Sequence, residues 1–140
     1  MDKALSLLAL ARKGGIAELG EEPVGGAARG GKAYVLLVAK DASDHTWRRA
    51  TSFAAGTEQQ CVRLPWTKDQ LGAAIGRDTL AIAAITDVQM ALALVAALPQ
   101  EESNKPALEV LTAKAAKAKQ RQQEAKAHRR NLRRGKKHMK

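Results

Sequence analysis

Gly20-Glu21-Glu22-Pro23-Val24-Gly25-Gly26-Ala27-Ala28-Arg29-Gly30-Gly31-Lys32, running into Ala33-Tyr34-Val35-Leu36-Leu37-Val38-Ala39, is the stretch whose reading decides the fold. Gly20 opens a short helix with two acids and a proline in its first turn. Glycine serves as an N-cap, carboxylates suit the positive helix end, and proline lacks only an N–H that is unpaired there anyway. Gly30-Gly31 stops the helix, and Lys32 leads into an apolar run long enough and β-branched enough for a strand covered on both faces. A helix N-terminus directs free backbone N–H groups outward, a surface suited to phosphate or a nucleic-acid backbone.

Outward from this stretch, helices and strands alternate. Ala4, Leu5, Leu8, Ala9 and Arg12 recur at helical spacing over residues 2–13, and Gly14-Gly15 ends that helix. Residues 16–19 read as a short edge strand. Lys40-Asp41-Ala42-Ser43 is a turn, with Ser43 or Asp41 capping a helix over 44–55 that Gly56 stops. Residues 61–64 form a short strand closed by Pro65. Thr67 caps a helix ending at Gly76, residues 80–86 form a second doubly covered strand, and Asp87 caps a helix to about Leu98. The simplest solution is a three-layer α/β/α sandwich around a roughly four-stranded mixed sheet.

The 140 residues carry a formal net charge of +10, unevenly placed. Residues 1–100 hold 11 Lys/Arg against 10 Asp/Glu, and residues 101–140 hold 13 against 4. We divide the chain into a domain over 1–99, a polar linker over 100–106 and a basic Ala/Lys/Arg-rich tail over 107–140. In the tail Leu108, Leu111, Ala115 and Ala118 make a weak apolar stripe. Helix propensity is high to about Ala127, and the block from Arg129 to Lys137 is expected to be disordered when free. Charge at this density favours a polyanionic partner, RNA before an anionic membrane, over a merely solubilising role.

Other chemistry finds little support. Gly26, Gly31 and Lys32 fit part of a phosphate-binding P-loop, but Ala33 stands where Ser or Thr would hold Mg²⁺. The order helix, loop, strand is also the reverse of what that loop needs. His45, His128 and His138 lack metal-ligand spacing. Cys61, the single cysteine, excludes an internal disulfide and reads as a small buried hydrophobe. Trp47 and Trp66 are too few for a base-stacking platform. No apolar run reaches membrane-spanning length. The expectation is a non-enzymatic cytoplasmic protein with no metal and no cofactor.

Three segments together resemble the kink-turn-binding ribosomal-protein superfamily. The first is Ala9-Leu10-Ala11-Arg12-Lys13-Gly14-Gly15 followed by Gly20-Glu21-Glu22. The second is Arg29-Gly30-Gly31-Lys32-Ala33 leading to Val38-Ala39-Lys40-Asp41-Ala42-Ser43. The third is Leu71-Gly72-Ala73-Ala74-Ile75-Gly76 followed by Ile82 to Asp87. The resemblance spans residues 2–98 and is nearest to small bacterial members. It implies the same sandwich and a surface for kinked RNA. There the helix after Gly20 enters the widened groove, Glu22 reads the tandem G·A pairs, and the loop of Arg77, Asp78, Thr79 and Leu80 supports a flipped-out base. Pro23 and Gly26 depart from the family pattern, which places a polar residue and a lysine at those positions.

The sequence-level site is therefore Gly20, Glu21 and Glu22 at the helix end, with Arg29 and Lys32 meeting flanking phosphate. Residues 77–80 form a second loop, and Arg129, Arg130, Arg133, Arg134, Lys136 and Lys137 anchor the tail to RNA phosphate. The expected partner is rRNA or another structured RNA, with ribosome association. The alternative is a protein-interaction module of the same fold that has lost kink-turn binding. It would touch RNA only through the tail and could form a weak homodimer through the apolar helix Met90-Ala91-Leu92-Ala93-Leu94-Val95-Ala96.

Overall fold

The apolar run from Val35 to Val38 forms β2 (Val35–Val38), and all four of its side chains are buried. The computed structural model describes residues 2–99 and 101–138, with side chains described through Leu132. β2 pairs on one side with β3 (Gln60–Arg63) in parallel, and on the other with β4 (Ile82–Ile85) antiparallel. β1 (Ala17–Leu19) adds antiparallel to β4, so the order is β1-β4-β2-β3 and β1 is an edge strand. β2 and β4 are apolar at every position because both faces of the sheet are covered.

One face carries α2 (Glu21–Arg29) and α3 (Asp44–Ala54) over a cluster of Val24, Ala28, Leu36, Val38, Ala50 and Ile82. The other carries α1 (Lys3–Lys13), α4 (Lys68–Ile75), α5 (Val88–Ala96) and α6 (Lys105–His138), around Leu8, Leu37, Leu71, Ile85, Leu94 and Leu111. This is the three-layer mixed α/β sandwich expected from the sequence. The caps lie where the sequence places them. Asp2, Ser43, Thr67 and Asp87 each accept a backbone N–H from the first turn of the following helix, and Thr67 and Gln70 complete a capping box. Asp41 does not cap α3. Its Oδ1 accepts from Lys68 N at 2.8 Å and ties the β2–α3 turn to the start of α4.

The C-terminal third differs from the sequence reading. The polar segment after α5 contains a 3-10 turn at Glu102–Asn104 and is not simply a linker, for α6 begins at Lys105 with Pro106 in its first turn. Ala107, Leu111 and Ala115 of the segment read as a tail are buried in the main core. They repeat every fourth residue, so they share one helix face. That face lies on α5, and Gln89 Nε2 donates to Ala115 O at 3.1 Å. Val88, Ala91, Leu94 and Val95 of α5 are buried, so the apolar face that a homodimer would use is occupied within the chain. The helix also runs on through the basic block to His138. Cations in the last turns of a helix complement the negative end of its dipole.

Candidate nucleic-acid interface

The sheet defines two ends. At the upper end lie the C-termini of β1, β2 and β3 and the start of β4, and the backbone binds them together. Gly20 N donates to Ile82 O, Ala39 N to Ala81 O, and Lys40 N to Trp66 O, each at 2.9–3.0 Å. Gly20 sits at φ +96°, a conformation that L side chains rarely adopt, and it offers no side-chain cap. Its own carbonyl accepts Val24 N at 3.0 Å, the first bond of α2. Pro23 has no N–H. The free donors of this helix end are therefore only two, the N–H groups of Glu21 and Glu22.

Beside them, residues 77–80 pass across α4. Arg77 N donates to Gly72 O at 2.8 Å and Leu80 N to Lys68 O at 2.9 Å. Arg77, Asp78 and Thr79 are exposed, whereas Leu80 is 3% exposed and turns into the core. Leu80 thus anchors the loop, and its side chain faces away from any ligand of the rim. The rim gathers Gly20, Glu21, Glu22, Arg77, Asp78 and Thr79 from two separated segments of chain.

The rim is electrostatically mixed. Glu21 pairs with Arg49 Nε of α3 at 2.8 Å, both about half exposed, and Arg49 also lies 5.5 Å from the Phe53 ring centroid. The pair neutralises one carboxylate at the helix end but contributes little to stability at such exposure. Glu22 is exposed. Along the same edge, a cleft of about 550 Å³ opens between Lys40, Trp47, Arg63, Pro65 and Asn104. Arg63 stacks over Trp47 there, 4.4 Å from the ring centroid. From the sequence, Trp47 is excluded only from a base-stacking platform. The stacked cation was missed because Trp47 and Arg63 come from different elements and no local motif joins them. Burial pushes the Cys61 thiol in this cleft up to about 11, despite the opposing charge of Arg63. Cys61 is therefore a neutral thiol.

Arg29 and Lys32 are elsewhere. α2 starts at the upper rim, and its nine residues carry Arg29 about 13 Å down its axis. There the C-terminus of α2 meets the entry to β3, where Gln59 Nε2 donates to Ala28 O at 3.1 Å. The tail also leaves from this lower end. α5 starts there after β4, Gln89 touches Ala115, and residues 119–132 of α6 are all exposed. Arg129 and Arg130 thus project beyond the end opposite Gly20. The side chains of Arg133, Arg134, Lys136 and Lys137 lie outside the described residues. Among the described residues, no group of three His, Cys, Asp or Glu could hold a metal ion. No helix among them is long and apolar enough to cross a membrane.

No protein-family model matches the chain, and no curated protein matches it. Solved structures do. One is a protein of unknown function from Bacillus halodurans C, with a TM-score of 0.65 and 26% identity, covering 69% of this chain and 97% of that one. Another is the 15.5 kD RNA-binding protein of Giardia lamblia, with a TM-score of 0.52 and 16% identity, covering 80% of this chain and 84% of that one. The second likeness is one of fold.

Proposed function

We propose that this is a non-catalytic, cytoplasmic RNA-binding protein of ribosomal type. It takes structured, kink-turn-like RNA on the upper rim and uses the basic stretch of α6 for further phosphate contacts. The observation that carries the reading is the convergence at the rim. Gly20, which opens α2, donates to Ile82 O, and the exposed residues 77–79 lead into the same short segment, which Leu80 N fixes to Lys68 O at the start of α4. Two backbone N–H donors, the Glu22 carboxylate and the Arg77 guanidinium then face a common partner. Glu22 accepts from guanine edges, and the N–H groups and Arg77 meet phosphate. Such a rim suits a bent helix whose groove is opened, since regular A-form RNA hides its major groove. The fold likeness to a protein named for RNA binding supports the same class of partner.

Equilibrium binding of the full chain to a kink-turn RNA and to a straight duplex of equal length tests the reading. The kinked RNA should bind more tightly, and Arg77→Glu should shrink that preference. Equal affinity of the unmodified chain for both RNAs would reject it.

A further inference from the structure

The lower end carries a surface that the rim does not account for. Two clefts open there, of about 550 and 380 Å³, on either side of Tyr34. Their charged lining residues are Arg29, Lys114, Lys117 and Arg121, against Glu58 as the one carboxylate. Lys114 forms an ion pair with Glu58 and lies 5.9 Å from the Tyr34 ring centroid, so it spans the boundary between the clefts. That pairing lowers the Glu58 pKa below the usual carboxylate range, chiefly through the hydrogen bond from Lys114. Lys117 and Arg121 continue the same face of α6 at i+3 and i+7, rising about 4.5 and 10.5 Å along its axis. Gln89 holds this part of α6 to α5, so the row is fixed relative to the sheet rather than carried on a loose tail.

We propose that this lower surface is a second RNA site, holding the phosphate backbone of a strand separate from the one at the upper rim. The protein then joins two RNA segments from opposite ends of one rigid domain. Charge selects the occupant: the clefts are cationic, whereas Glu21, Glu22, Asp41, Asp44 and Asp78 interleave with the cations of the rim. RNA is favoured over an anionic membrane because Leu132 is the one large exposed apolar side chain on the described part of α6. A helix lying in a lipid surface needs an apolar face. The inference uses the proposed RNA class but not the kink preference, so the two fail separately.

The test is binding of the full chain to a short oligouridylate, a flexible strand with no kink to read. Lys117→Glu with Arg121→Glu should weaken binding about tenfold and flatten the slope of log affinity against log salt by about 1.4, the loss of two phosphate contacts on a single strand. Lys117→Arg with Arg121→Lys should retain both. Circular dichroism of each variant monitors the helix. Unchanged oligouridylate affinity and slope in a folded charge-reversed variant would overturn the proposal. So would displacement of the oligouridylate by one equivalent of kinked RNA, which would show a single shared surface. A loss of binding to phosphatidylserine vesicles with none to oligouridylate would replace RNA by membrane. If the oligouridylate effect appears in a chain without kink preference, the lower site stands and the rim reading falls.

Discussion

Gly72 and Thr79 are in contact through backbone: a Cβ built on Gly72 would stand 2.7 Å from Thr79 Cα, with the carbonyl oxygens of Asp78 and Arg77 at 2.7 and 2.8 Å. Residues 77–80 can cross α4 this closely because position 72 has no side chain. Gly72→Ala leaves no flexible atom to yield, so the loop itself must move. We expect destabilisation of about 1–3 kcal/mol in urea unfolding and a reduced preference for kinked RNA in the folded fraction. Unchanged stability would mean the loop is free to slide.

Gly26 is the opposite case. A Cβ there meets nothing within 4 Å, and the residue is exposed in the interior of α2. Gly26→Ala should stabilise the protein by about 0.5–1 kcal/mol through helix propensity. Gly26→Lys should do nearly the same, raise affinity for kinked RNA and steepen the salt slope by about 1. Salt titration of both variants separates charge from helix strengthening.

Leu111 is fully buried between α6 and the rest of the core. Leu111→Ala should cost about 2–5 kcal/mol. The same packing means that a chain cut at residue 100 bares the α5 face, whereas one cut after Ala118 keeps Ala107, Leu111 and Ala115 in place. Thermal unfolding of the two fragments should show the longer one close to the full chain and the shorter one strongly destabilised.

Cys61 offers a pH handle. Its thiol moves from an ordinary 9.0 up to about 11 in the folded protein, because burial disfavours the thiolate. Below about pH 9 the thiol is protonated in both states. Between about 9 and 11 the unfolded chain releases the proton and the folded one retains it, so this group lowers stability as pH rises through that window. Alkylation by iodoacetamide at pH 8 should be slow in the native protein and fast in urea. Fast native alkylation would contradict the half-buried neutral thiol.

The elements were legible because their signals are local. Ser43, Thr67 and Asp87 accept N–H groups three residues on, and Gly76 takes the left-handed φ of +75° at the end of α4. The strands of the centre announced themselves by unbroken apolar runs. The role of residues 107–118 was not legible in the same way. Two of its three buried anchors are alanines, which bury well yet add little to a hydrophobic pattern, and only the facing helix shows that they dock. The placement of the candidate residues was partly legible. Gly20 to Glu22 and residues 77–79 fall at one end of the sheet, whereas placing Arg29 and Lys32 at the other end requires the direction of α2. Leu80 turns inward just ahead of β4, as its place in the apolar run 80–86 indicates, and not toward a ligand as the loop motif implies.

The measurement closest to the central claim is the affinity of the 1–118 fragment for a kink-turn RNA and for a straight duplex of equal length, each across a salt series. A kink-selecting rim predicts that the fragment keeps the kinked preference of the full chain, with weaker affinity and a shallower salt slope for both RNAs. Equal affinity for the two RNAs in the fragment, with binding by the full chain steeply salt-dependent and indifferent to the kink, would contradict it.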